Sequence, residues 1–443
     1  MAGTSSPTTV STSLQQIATL AQEAPQRVLT TLAHHIDVPF LMEAYRRTRK
    51  DGAVGVDGQT AQMYATDLER NLESLLDRFK SGAYAAPPVR RVYIPKDDGH
   101  SSRPLGIPSF EDKVLQRAVA MVLEAIYEQD FLDCSYGFRP KRSQHQALDA
   151  LWHQTMAMSG GWVISIDIEK YFDSISHRQL RGILDQRVRD GVIRRTIDKW
   201  LKAGVLENGC ISHTDTGVPQ GSGVAPLLSN LFLHEVLDTW FENVAKPRLK
   251  GKAVLVRFAD DAIVLCTHER DARRMMAVLP KRFAEYGLTL HPGKTRVILF
   301  RRPPSGGRQA ERKREPGSFN LLGFTHYWGQ SRAGKWVVKR KTASARLSRA
   351  LKRINTWCRE HRHAKVSWQH QQLVWKLRGH NGYYGITGNM KGLRQFRLGV
   401  RNCWRKWLAR RSQRSRIRWD QFEELLKHYP LPQSKIVHSA LKT

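Results

Sequence analysis

Two adjacent carboxylates at a tight turn carry the first chemical signal in this chain. Ala253 to Cys266 reads AVLVRFADDAIVLC: an apolar run, then Phe258-Ala259-Asp260-Asp261, then a second apolar run. Two runs of strand length around a polar turn read as a β-hairpin with Asp260 and Asp261 at its tip. Adjacent carboxylates repel unless a cation sits between them, and magnesium, a hard ion that takes oxygen ligands, suits them. Taken alone, the stretch reads equally well as a solvated Asp-Asp turn. Gly161 to Ile168, GWVISIDI, breaks the tie, because it is an apolar run ending on Asp167. A strand delivering Asp167 beside the hairpin tip completes a three-carboxylate site for two metal ions. Such a pair activates the attacking oxygen and neutralises the leaving one in phosphoryl transfer.

Further segments follow the same logic. Gly217-Val218-Pro219-Gln220-Gly221 is a Gly/Pro-rich turn entering an apolar helix. Arg91 to Lys96, Arg103 to Pro108, Tyr136 to Pro140, Asp167 to Asp173, Gly217 to Asn230, Phe258 to Asp261, His291 to Thr295, Leu321 to Phe324 and Gly379 to Tyr384 occur in that order. Together they resemble the reverse transcriptase/maturase encoded by bacterial group II introns, over about residues 40 to 440. The resemblance implies an α+β fold: a right-hand polymerase with fingers and an antiparallel palm sheet, then an α-helical thumb/maturase domain. It implies RNA-templated DNA synthesis, in which a primer 3′-hydroxyl attacks the α-phosphate of a dNTP, and two Mg²⁺ ions as cofactor. The implied metal set is Asp167, Ile168, Asp260 and Asp261, with the three aspartates catalytic.

Nucleotide contacts fall on Lys96, Arg103, Phe172, Gln220 and Lys294. Lys96 and Arg103 end a basic loop that suits a triphosphate. Phe172, five residues after Asp167, lies where the family keeps an aromatic beneath the sugar, leaving no room for a 2′-hydroxyl; on sequence alone it also reads as core. Gln220 is expected near the nucleotide or template. Lys294 is placed to protonate the leaving pyrophosphate, or is a solvated lysine. The chain departs from the family at Ser222-Gly223, which predicts a more polar and flexible loop, and at Phe258, where Tyr is commoner.

Composition points the same way. The chain has 443 residues with 72 Lys+Arg against 40 Asp+Glu, a net +32. Residues 301–443 hold 34 Lys/Arg and 6 Asp/Glu, so this third carries +28 of that excess. Such a charge calls for a polyanion, nucleic acid first. Arg394, Arg397, Arg401 and Arg405 lie off an apolar helical stripe (Leu393, Phe396, Val400, Cys403, Trp404, Trp407), which predicts an outward RNA-binding face. Arg139, Lys141 and Arg142 read either as template-phosphate contacts or as a solvated charge run. Five scattered cysteines form no CxxC pair, so thiols in a reducing, cytoplasmic setting are expected. No apolar run is long enough to span a bilayer.

The predicted organisation is an extension over 1–39, disordered to about residue 12 and helical from Leu14 to about Leu32. Fingers and palm follow over 40–330, a thumb/maturase domain over 331–411 and a short basic segment over 412–443. No His/Asn/His or Cys cluster follows the thumb, so an HNH endonuclease domain is not expected. The partners implied are group II intron RNA, an RNA template with DNA primer, dNTPs and target DNA, at the bacterial nucleoid. Two other functions fit the same residues: a domesticated reverse transcriptase, as in phage defence, and a splicing cofactor with an idle polymerase.

Overall fold

A computed structural model describes residues 7–95, 102–304, 317–412 and 416–439. The chain divides into two compact units. One takes in the residues up to Ala147 with Ile164–Val264 and Arg270–Arg296, the other Leu148–Val163, Leu265–Glu269 and the chain from Val297. The described strands are β1 (Val89–Pro95), β2 (Ser102–Ile107), β3 (Gly160–Ile166), β4 (Val205–Glu207), β5 (Cys210–Ser212), β6 (Ala253–Phe258), β7 (Asp261–Cys266), β8 (Arg296–Arg301), β9 (Phe319–Leu321), β10 (Phe324–Gln330) and β11 (Trp336–Thr342). They form sheets of order β2-β1-β4-β5, β6-β7-β3-β8 and β11-β10-β9. With about half the remaining chain helical, this is the α+β class expected.

In the first unit, β1 and β2 pair antiparallel with Ile94 opposite Arg103. The helix Phe110–Asp130 runs through the middle of this unit. Ser109 caps it by accepting from the Asp112 N–H at 3.1 Å, and Glu111 complements its positive end. Its residues Val114, Leu115, Ala118, Val122 and Ile126 are fully buried. The N-terminal expectation is corrected here, since a helix spans Pro7–Glu23, starting earlier and ending earlier than predicted. Val10, Ile17 and Ala21 are all buried, so packing overrides the low helix propensity of a Ser/Thr-rich stretch. The helix after the Gly/Pro turn is α-helical over Ala225–Leu233 and then opens into wider π turns over His234–Thr239 and Phe241–Ala245.

In the second unit, helices Ser344–Glu360, Val366–Tyr384, Met390–Leu408 and Trp419–His428 follow the three-stranded sheet. Ile354, Cys358, Leu373, Leu377, Phe396, Val400, Trp404 and Phe422 form their common core. The buried Trp404 satisfies its indole N–H on Gln369 Oε1 at 2.9 Å. No helix among the described residues is long and apolar enough to cross a membrane.

Candidate active site

The hairpin is built as expected. β6 ends at Phe258 and β7 begins at Asp261, so Ala259 and Asp260 make the whole connection. Ala259 takes the left-handed region, φ 55°, which costs a non-glycine residue about 1 kcal/mol. A buried arginine holds it there. The Arg257 guanidinium is fully buried and donates to Asp238 Oδ1 (2.7 Å) and Oδ2 (2.5 Å), Asn230 Oδ1 (3.0 Å), Ser135 Oγ (2.8 Å) and the Ala259 carbonyl (3.0 Å). Asp238, its counter-ion, is equally buried and sits in the first π turn, where the helix is wide. Asn230 also donates to the Gly137 carbonyl. A Cβ on Gly137 would lie 2.2 Å from the Ala259 nitrogen, so only glycine lets this segment back the turn.

Sequence reading passed over this network. Its signal was an arginine inside a run apolar enough to be a buried strand, with an aspartate inside an apolar helical stretch as the other half.

Asp167 follows β3 directly. Its carbonyl accepts from the His291 N–H (2.8 Å) and from Thr295 Oγ1 (3.1 Å), so the His291–Thr295 loop is latched to it. That latch brings Lys294 Nζ to 3.4 Å from Asp167 Oδ1. Ile168 is bridged to Leu290, but through bonds from its neighbours, Glu169 N–H to Thr289 O and His291 N–H to Asp167 O. Its own carbonyl is not spent on that bridge.

The three aspartates are electrostatically coupled. Desolvation by the surrounding protein pushes the Asp261 carboxyl up to about 6, Asp260 and Asp167 push in the same direction, and Lys294 pulls back. Asp261 is nevertheless open to solvent at the hairpin tip, so the two neighbouring carboxylates deserve more of that shift than burial does. Burial raises Asp260 as well; Asp167 adds to it, while a backbone N–H, Arg103 and Arg257 oppose it. An all-oxygen set that repels itself suits a hard divalent cation. Among the described residues, no three Asp, Glu, His or Cys side chains converge closely enough to ligate a metal as they stand.

Around this corner, Phe172 is half-buried and packs edge-on against Tyr171 with centroids 5.4 Å apart, so it is not a core residue. Its carbonyl accepts from Val218 N–H at 2.8 Å, tying the Gly217–Gly221 turn to it. Gln220 is half-buried, and its carbonyl accepts from Gly106 N–H of β2 at 2.7 Å. Arg103 is exposed on β2 and acts electrostatically on Asp260. Lys96 lies outside the described residues. The expected loose loop at Ser222-Gly223 is corrected. Ser222 is buried, and Gln116 Oε1 accepts from both Ser222 Oγ (3.0 Å) and Gly223 N–H (2.8 Å).

Four basic residues, Arg139, Arg397, Arg401 and Arg405, are not placed as the sequence predicts. Arg139 is buried on Glu128 and the carbonyls of Leu132 and Ser135, so it braces its own turn rather than reaching a template. On helix Met390–Leu408, Arg394 is exposed as expected, but the other three arginines are engaged internally. Arg397 donates to the Pro432 carbonyl (2.9 Å), Arg401 pairs with Glu423, and Arg405 donates to the Ile417 carbonyl (3.0 Å) while lying 3.9 Å over the Trp419 ring. The outward face is corrected for these three: chain after residue 416 packs on it.

Residues 94–326 match the model of the reverse transcriptase (RNA-dependent DNA polymerase) family. Protein YkfC of Escherichia coli is 35% identical over 283 residues, 57% of this chain and 74% of that protein. The group II intron-encoded protein LtrA of Lactococcus lactis is 37% identical over 229 residues, 50% of this chain but 37% of LtrA. An intron 2 protein of the COX1/OXI3 gene in Saccharomyces cerevisiae is 32% identical over 209 residues, 47% of this chain and 24% of that protein.

Proposed function

The chain belongs to the reverse transcriptase family, and from that premise we propose that it copies RNA into DNA and serves a group II intron as its maturase. The observation that carries the polymerase half is the corner where Asp167, at the end of β3, adds its negative charge to Asp260 and Asp261 at the hairpin tip, with Lys294 Nζ 3.4 Å from Asp167 Oδ1. Asp167, Asp260, Asp261 and the Ile168 carbonyl would hold two magnesium ions. When bound, these supply charge neutralisation for the attacking and departing oxygens. Arg257 keeps the turn from relaxing, so the carboxylates stay together at no reorganisation cost. Lys294, held beside Asp167, is positioned to give a proton to the leaving pyrophosphate. Phe172 occupies the space a 2′-hydroxyl would need, Gln220 lines the nucleotide site, and Lys96 and Arg103 meet the triphosphate.

The maturase half is supported by similarity to intron-encoded proteins and by the basic C-terminal third. Its partners are then intron RNA, an RNA template with its primer, dNTPs and target DNA, met in the bacterial cytoplasm at the nucleoid. The test is primer extension on an RNA template, run beside protein-assisted splicing of a group II intron RNA at low magnesium. Parent protein is expected to do both, and Asp260→Asn to retain only splicing. Parent protein that extends no primer would sink the polymerase reading; parent protein that extends but never accelerates splicing would sink the maturase one.

A further inference from the structure

The helix Val366–Tyr384 buries one side, Leu373 and Leu377, in the second unit's core. Its opposite side exposes two large aromatics, Trp368 (40% exposed) and Trp375 (54% exposed). They are seven residues apart, so they stand two turns apart on one face. Trp368 stacks on Trp357 with centroids 5.8 Å apart, which fixes its ring. Trp375 is the more exposed of the two.

The same face continues into Gly379, whose Cβ direction meets nothing within 4 Å, as does that of Gly382. A mid-helix glycine costs stability relative to alanine, and no neighbour here demands its absence of side chain. Close approach of another molecule's backbone would demand it. The helix has no Asp or Glu in its 19 residues, and Lys376 and Arg378 stand exposed along it.

We infer that this face binds unpaired RNA nucleotides, with bases stacking on Trp375 and Trp368 and the sugar–phosphate strand passing over Gly379 between the two cations. The inference rests on the RNA-binding reading above and gives it a place and a mode. Aromatic faces accept any base, and lysine and arginine neutralise the phosphates. A protein partner would favour the rings equally, but an acid-free helix in a segment of net +28 selects the polyanion.

The experiment uses the full chain and fluorescence anisotropy with two labelled probes, single-stranded poly(U) and a blunt RNA duplex of equal length. Trp375→Ala is expected to weaken poly(U) binding about tenfold. It should leave the slope of log affinity against log salt unchanged, because losing a stack releases no counterion. Gly379→Ala should raise the melting temperature by roughly 2 °C while weakening poly(U) binding several-fold. A purely structural glycine cannot move those two readouts in that combination. Parent-like affinity in both variants, or a parent that prefers the duplex, overturns the inference. A parent that binds neither probe overturns the RNA-binding reading it rests on.

Discussion

At the tip of the β6–β7 hairpin, two carboxylates stand beside a third, with Lys294 and Arg103 as nearby positive charge. On helix Met390–Leu408 the charges are positive and four, yet three already have internal partners. The hairpin spends its strongest cation, Arg257, on Asp238 and on the backbone of the turn rather than on the catalytic acids. Acid charge is thereby kept concentrated where a ligand can use it. The helix does the reverse, since Arg397, Arg401 and Arg405 are consumed in fastening the segment from Ile417 to Pro432. The number of charges on a surface therefore says little about function until each one's partner is known.

The largest expected effect breaks the hairpin side of this contrast. Asp260→Asn keeps the side chain's size and removes a ligand charge, so nucleotide addition should fall by about three orders of magnitude. Steady-state primer extension checks it; a change of less than tenfold would mean the tip is not where the chemistry occurs. Next is Arg257→Leu, which leaves Asp238 buried and unpaired. It should destabilise the protein by about 3–5 kcal/mol, measured by urea unfolding. Adding Asp238→Leu should restore much of that stability without restoring extension, because Ala259 loses its clamp. Extension that returns with stability would show the network to be merely structural.

The turn that carries Asp260 and Asp261 and the strand end that carries Asp167 are readable because their geometry is local. The hairpin, the helix from Phe110 and the apolar stripes of the C-terminal helices are readable for the same reason. Phe172, Gln220 and Lys294 enter only through the family resemblance, since their spacing alone does not separate a site residue from a core ring or a solvated side chain. What was not legible depends on pairs distant in sequence. Arg257 finds Ser135 across 122 positions, and Ser222 finds Gln116 across 106. A helical wheel places Arg397, Arg401 and Arg405 off the apolar stripe correctly. It cannot know that Pro432, Glu423 and Trp419 return to cover them.

A buried acid with neutral partners makes a third case. Asp112 is 2% exposed and accepts from the Tyr84 hydroxyl, which in turn accepts from Trp200 Nε1 at 2.8 Å. Burial pushes its carboxyl up to about 7, against the pull of Tyr84. The folded state thus keeps a proton that the unfolded state has released, so stability should fall as pH rises from about 4 to 7 and then level off. The loss should be about 2–4 kcal/mol. Urea midpoints across pH 5 to 8 check it, with Asp112→Asn expected to flatten this part of the profile. A parent whose midpoint rises over that range would mean Asp112 is charged and paired.

The smallest effects sharpen the arginine side. Arg401→Gln with Arg405→Gln removes an exposed ion pair and two ring contacts to Trp419. Contacts of that kind are worth about 1 kcal/mol together. The expected outcome is faster hydrogen exchange over Trp419–His428, with the slope of log RNA affinity against log salt unchanged. Arg394 is exposed instead, and Arg394→Gln should lower that slope by about 0.7 to 0.9 if the residue meets one phosphate. The two measurements separate a charge from an available charge. Should the double variant flatten the slope as well, the last helix must leave the arginine face when RNA binds. The internal contacts would then be competitors of RNA rather than permanent fastenings. Phe422, fully buried in the core beside Trp404, opposes that exchange, because lifting the helix would expose its ring.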